Sequence, residues 1–219
     1  MKTRKFEPES PQNFLDTSGI ARKVTEFQKD EHIYNQGDAA ETVLYIQTGN
    51  VKFSVVSATG RIAVVAMLGQ NDFFGEGCLA GQSVRMGTAT AITPTALVAI
   101  DKRELQGMLR TQNKLSDTFV GFMLSHKNRV EEALIDQLFN TCEKRLARTL
   151  LVLGRYGKVQ HQPDDELPAI SQETLSEIVG STRSRVNFFM NKFRNLGFIE
   201  YHNRRIKINK SLLAFVSDE

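Results

Sequence analysis

Between Val24 and Ile100 the apolar residues come in short runs, broken by Gly, Asn and Asp at near-regular intervals. The runs Val24–Phe27, His32–Tyr34, Val43–Gln47, Val51–Val56, Ile62–Leu68, Thr88–Ile92 and Leu97–Ile100 have the β-branched and aromatic make-up of strands. Asn35-Gln36-Gly37-Asp38, Gly49-Asn50, Thr59-Gly60 and Gly69-Gln70-Asn71-Asp72 supply turns between them. Strands this short and this regularly spaced predict a compact antiparallel roll or barrel with an interior cavity. Such a shell does not by itself name a ligand.

The period then changes. From about Gln112 to Phe139 there is no Pro, and Gly121 is the only Gly. Leu115, Phe119, Phe122, His126, Val130, Ala133 or Leu134, and Leu138 recur at three- and four-residue steps, the spacing of one helix face. A helix of ~25 residues reaches nearly 40 Å. Its narrow stripe suits a seam between two copies of the chain; packing of a single helix on its own roll is the alternative. Val120, Met123, Leu124 and Ile135 lie off the stripe and allow both contacts at once. Asn140-Thr141-Cys142-Glu143 reads as a capping box opening a helix over Lys144–Tyr156, which makes the joint near Asn140 a candidate hinge.

Gln172 to Asn191 reads as two short helices joined by a tight turn. Leu175, Ser176 and Val179 form the inner face of the first, and the small Ser176 admits a close neighbour. Gly180 sits where the chain must turn, and Ser181 or Thr182 offers an N-cap hydroxyl. The second helix buries Val186, Phe189, Met190 and Phe193, and turns Arg183, Ser184, Asn187 and Asn191 outward, with Arg185 and Arg194 to the side. That is the layout of a helix-turn-helix reading the major groove, with an ordinary helical hairpin as the alternative. Gly197 ends the helix; Phe198–Tyr201 and Ile206–Ile208 read as strands around a His202-Asn203-Arg204-Arg205 turn. A basic-tipped hairpin in this place is a wing.

Charge supports that reading. Residues 141–219 carry a net +4 and residues 1–140 a net −1. Eight basic residues, Lys192 included, and the single acid Glu200 lie between Ser181 and Lys210, a bias that suits phosphates. No apolar run approaches the ~20 residues of a membrane span, and the N-terminus lacks a signal-peptide core. Cys78 and Cys142 are the only cysteines, far apart, which argues against a disulfide framework or metal cluster and for the cytoplasm. The four histidines form no metal spacing, and no nucleophile elbow or phosphate loop appears, so an enzyme is not expected. Residues 1–20, rich in Pro and Ser, read as a loosely held lead-in.

One break between strands carries chemistry. Phe73-Phe74-Gly75-Glu76-Gly77-Cys78-Leu79 runs on to Val84-Arg85-Met86-Gly87. The glycines permit close backbone approach and an anion-binding nest; Glu76 can accept from a sugar hydroxyl, and Arg85 offers a cationic fork for phosphate. A ligand carrying both ribose and phosphate fits; so does a plain Glu76–Arg85 ion pair with no ligand.

Gly37-Asp38, Gly49-Asn50-Val51-Lys52, Gly60-Arg61, the Asp72–Glu76 cassette with Arg85, and Ser171-Gln172-Glu173 through Arg183 occur in the order and spacing of one family. From roughly Val24 to Ile208 the chain resembles the CRP/FNR bacterial transcription regulators. The resemblance implies an α+β chain: an N-terminal antiparallel β-roll of the jelly-roll, cyclic-nucleotide-binding type (21–111), a long dimerisation helix (112–139), and a C-terminal winged helix-turn-helix (140–219). It implies a homodimer on a palindromic operator in double-stranded DNA, working with RNA polymerase.

The implied effector is cyclic AMP or cyclic GMP, held by Phe74, Gly75, Glu76, Gly77, Cys78, Arg85 and Met86, with Val130 and Glu131 at the family's base-contacting positions. Two departures keep other effectors, or none, open. Met86 replaces the usual small residue after the arginine, and Glu131 would suit a different base edge. The iron–sulfur branch needs an N-terminal cysteine cluster that is absent, while haem through His32 or His126 stays open, as do constitutive DNA binding and a sensor that does not bind DNA. The implied DNA contacts are Ser171, Gln172, Thr182, Arg183, Ser184, Arg185, Asn187, Phe188, Asn191, Arg204 and Arg205, with the recognition helix near Thr182–Leu196. Arg183 matches the guanine-reading arginine; Ser184 and Phe188 stand where Glu and Arg are common.

Overall fold

The computed structural model describes residues 24–156, 166–167, 170–202 and 205–217. The expected lead-in 1–20, and Asn203-Arg204 of the expected turn, lie outside them. The chain divides into two units, Met1–Val56 with Ala66–Glu131, and Ser57–Val65 with Glu132–Glu219.

The strands of the N-terminal half are β1 Val24–Phe27, β2 His32–Tyr34, β3 Thr42–Thr48, β4 Val51–Val56, β5 Ile62–Leu68, which crosses the division at Val65, β6 Phe73–Phe74, β7 Thr88–Ala91 and β8 Thr95–Asp101. They form two four-stranded sheets, β1-β8-β3-β6 and β2-β7-β4-β5, joined by antiparallel pairings, which is the expected roll. In β3 the run Val43-Leu44-Tyr45-Ile46 is buried throughout because the sheet is covered on both faces. Leu44 and Ile46 point between the sheets with Val51, Phe74, Ala89 and Leu97. Val43 and Tyr45 point the other way, toward Phe73, Val98, Ile100, Leu105, Leu115 and Phe119.

A helix the sequence pattern did not separate from the roll, α1 (Lys102–Thr111), follows β8; the Asp101 carboxylate caps it, accepting from the Arg103 and Glu104 N–H groups. The long helix α2 is Asn113–Phe139, one residue shorter than expected. Its faces differ from the expected stripe. Leu115 and Phe119 are buried against the roll and Phe122 packs beside them, so the first half of that stripe faces the chain's own core. The exposed apolar groups are Val120, Leu124, Val130, Leu134, Ile135, Leu138 and Phe139.

The second unit contains α3 (Cys142–Tyr156), β9 (Glu166–Leu167), α4 (Gln172–Val179), α5 (Arg183–Asn195), β10 (Ile199–His202), β11 (Arg205–Ile208) and α6 (Ser211–Ser217). The wing is a three-stranded sheet, β10-β11-β9. His202 pairs with Arg205 across the hairpin, so both belong to strands rather than to the expected turn. The expected capping box is also different: Thr141, not Asn140, accepts the Lys144 N–H, and Glu143 turns to Lys192 at 2.8 Å.

The turn between α4 and α5 is fixed from two sides. Gly180 has φ 65°, and the Arg145 Nε and Nη2 groups donate to the last carbonyl of α4, on Val179, at 3.1 and 3.0 Å. A Cβ on Gly180 would sit 3.1 Å from Gln137 Nε2 in a conformation that L-residues avoid. Gly180→Ala is therefore expected to destabilise this unit by about 1–2 kcal/mol, read as a lower midpoint in urea with an unchanged slope. Among the described residues no helix is long and apolar enough to cross a membrane.

Candidate functional site

In the first unit, β6 ends at Gly75, whose φ of 77° swings the chain into a 3-10 helix, Glu76–Ala80. A Cβ there would lie 2.5 Å from Arg85 Nη1, so only glycine lets the arginine settle against this backbone. Arg85 is 6% exposed. Its Nη1 donates to the Gly75 carbonyl at 3.1 Å, and its Nη2 to the carbonyl and hydroxyl oxygens of Thr42 at 2.8 and 2.9 Å. The guanidinium carbon lies 4.4 Å from the centre of the Tyr34 ring, and burial pushes the Tyr34 phenol up to about 12, so it stays neutral.

The plain Glu76–Arg85 ion pair left open by the sequence is not formed. Glu76 Oε1 is instead 3.7 Å from His126 Nδ1 on α2. Arg85 thus carries a buried charge whose hydrogen-bond acceptors are neutral, with no ion-paired carboxylate among the described residues and an Nε that bonds to nothing. A buried cation without a counter-charge is costly unless an anion joins it.

The remaining residues of the cassette divide by burial. Phe74 and Cys78 are buried and Gly77 half-buried, and burial pushes the Cys78 thiol up. Met86 is 61% exposed. Val130 and Glu131 are exposed, Glu131 pairs with Lys127 at 2.6 Å, and neither makes a polar contact with Arg85 or Glu76. Within one chain the helix meets this region through His126, and through Arg129, whose guanidinium is 2.7 Å from Asp72. His32, the other histidine considered for haem, faces Asn35 Oδ1 at 2.8 Å. Thr42 and Tyr34 were not readable from the sequence, since nothing local ties either to Arg85.

In the second unit Ser171 and Thr182 open the two helices, their hydroxyls accepting from Thr174 N and Arg185 N. The inner face of α5 is as expected for Val186, Met190 and Phe193; Phe189 is half-buried. Arg183, Ser184, Arg185, Asn187, Phe188 and Arg194 are exposed along one helix, and Phe188 stands edge-on to Phe189. The Asn187 side-chain oxygen accepts from Gln172 and Asn191 at 3.3 Å each, which sets the amide array before any duplex arrives.

Among the basic residues of this half, Lys192 is engaged by Glu143 of α3. Arg183, Arg185 and Arg194 have no carboxylate partner among the described residues. Arg205 is exposed on β11, and Arg204 lies outside the described residues. The guanidinium groups of Arg183 and Arg185, beside an amide array at the start of α5, are equipped for phosphates and base edges.

Comparison with known proteins agrees with both halves. Residues 24–112 match the cyclic nucleotide-binding domain family and residues 144–211 the Crp-like helix-turn-helix domain family. A CRP-like cAMP-activated global transcriptional regulator of Mycobacterium tuberculosis is 24% identical over 187 residues, 85% of this chain and 84% of that one. The global nitrogen regulator of a Nostoc species is 27% identical over 199 residues, 90% and 89% of the two chains. A CRP-family transcriptional regulator from Thermus thermophilus shares the fold, with a TM-score of 0.77 at 21% identity over 89% of this chain and 97% of that one. A nucleotide-type roll followed by a Crp-like winged helix, matched in order over most of the chain, makes this protein a DNA-binding transcription regulator of the CRP/FNR family.

Proposed function

We propose that the protein works as a cytoplasmic, non-catalytic homodimer on a palindromic operator, in concert with RNA polymerase, and that a small anion bound in the roll tunes it. The roll (21–111) senses, α2 with its flank (112–139) pairs the two copies, and the winged helix (140–219) reads DNA. Arg183 addresses a guanine; Ser184, Asn187, Asn191 and Phe188 read neighbouring base edges. Ser171, Gln172, Thr182, Arg185, Arg204 and Arg205 hold the backbone. Half-sites fall about one helical turn, ~34 Å, apart.

The observation that carries the effector is Arg85, buried among neutral acceptors with an unpaired Nε. Cyclic AMP and cyclic GMP are the first candidates, since the roll matches the cyclic nucleotide-binding family and a relative is named as cAMP-activated. Phe74 to Cys78 and Met86 would surround the ribose phosphate, and His126 beside Glu76 would report its arrival to α2; Val130 and Glu131 would meet the base. Calorimetric titration with each nucleotide should give saturable heat that Arg85→Ala abolishes. Silence from both nucleotides would remove them as effectors while leaving the DNA reading intact.

A further inference from the structure

The roll contains a cavity of about 310 Å³ lined by Arg85, by Asp38 and Ala39 of the β2–β3 loop and by residues of β1, β2, β3 and β8, none of them in the Gly75–Cys78 cassette. Phe27, Ile33, Leu44 and Leu97 give it apolar walls. Leu44 and Leu97 belong to the buried layer between the sheets, so part of the apolar lining is core. Its cation is Arg85, nine-tenths buried with one N–H unpaired, and Thr42 and Tyr34, which hold that guanidinium, line the same space. Asp38, exposed, also lines it and disfavours a ligand with a second negative charge.

A single fixed cation beside hydrocarbon is the chemistry that recognises an amphipathic monoanion. We infer that this cavity binds an unbranched, medium-chain monocarboxylate, its carboxylate on Arg85 and its tail between β1, β2, β3 and β8. The inference rests on Arg85 being the effector's anion-binding group, but not on a nucleotide being that anion. Thr42 already takes two hydrogen bonds from the arginine, which keeps the guanidinium turned to this side without a ligand.

The test uses the unmodified protein with hexanoate, heptanoate, octanoate and octanol, followed by calorimetry. Affinity should rise about fourfold for each added methylene, as expected for a tail leaving water. Octanol should bind at least tenfold more weakly than octanoate, because it cannot use the cation. Thr25→Phe, which adds bulk at the cavity wall on β1, should weaken octanoate at least tenfold. Absence of octanoate binding overturns the proposal, as does octanol binding as tightly or, in a folded Thr25→Phe, unchanged affinity. Should that variant not fold, the chain-length series and octanol decide alone. Nucleotide heat with octanoate silent sinks only this inference; octanoate heat with nucleotides silent supports it and removes the nucleotide.

Discussion

Exchanging Leu124 and Leu134 together for glutamate should part the proposed dimer into monomers and weaken binding to a two-half-site duplex by about 10²- to 10⁴-fold. Val120 and Leu124 are 51 and 57% exposed on the part of the helix whose other side packs on the roll, and Leu134 and Leu138, 56 and 67% exposed, continue the row. Their spacing continues through Lys127 and Glu131 in steps of three and four, the register of a two-helix seam. A contiguous row of exposed apolar side chains of this kind marks an interaction surface.

Four glutamates facing one another across the seam would lose that burial and add like-charge repulsion. Each winged helix would keep its contacts to one half-site, but the second half-site would no longer be bound as an intramolecular event. Sedimentation equilibrium reads the first effect and fluorescence anisotropy on duplexes with one or two half-sites the second. A variant that remains dimeric, or a monomer that binds the full operator with undiminished affinity, would overturn the role of α2.

The same helix shows where sequence periodicity stops being enough. Leu115, Phe119 and Leu138 share a stripe in the sequence, yet the first two are buried in the chain's own core and the last is exposed. Period tells which residues share a face, but not which body covers it. The strands were legible because turns punctuate them. The two-residue strands β6 and β9 were not, since each is defined by a distant partner, Leu44 and Tyr45 for one, Ile206 and Lys207 for the other.

At the effector site, Gly75, Glu76 and Arg85 were readable as a local motif. Their relations were not: Arg85 spends its hydrogen bonds on Thr42, 43 residues away, and Glu76 turns to His126 on another element. Likewise Lys192 counts as a phosphate-facing cation in the sequence and proves to be held by Glu143. Charge runs show a surplus; only the fold shows which charges are already matched.

Among the charges left over, Arg183 should matter most for sequence choice. It is the first residue of α5, exposed, capped from Thr182 and without a carboxylate partner among the described residues. Groove-reading helices present their N-terminal residues to base edges, and a guanidinium matches O6 and N7 of guanine in two parallel hydrogen bonds. Arg183→Ala should therefore cost about 1–3 kcal/mol of operator binding and relax preference at one base pair of each half-site. The neighbouring Arg185→Ala should behave differently, weakening binding to all sequences evenly and lowering the salt slope by about one. Lysine at 183 should restore charge without the bidentate fork, returning affinity at low salt more than base preference. Selection from a randomised duplex pool, with affinities followed across a salt series, separates these outcomes. An Arg183→Ala protein that selects the same sequences as the unmodified one would mean that another side chain reads the guanine.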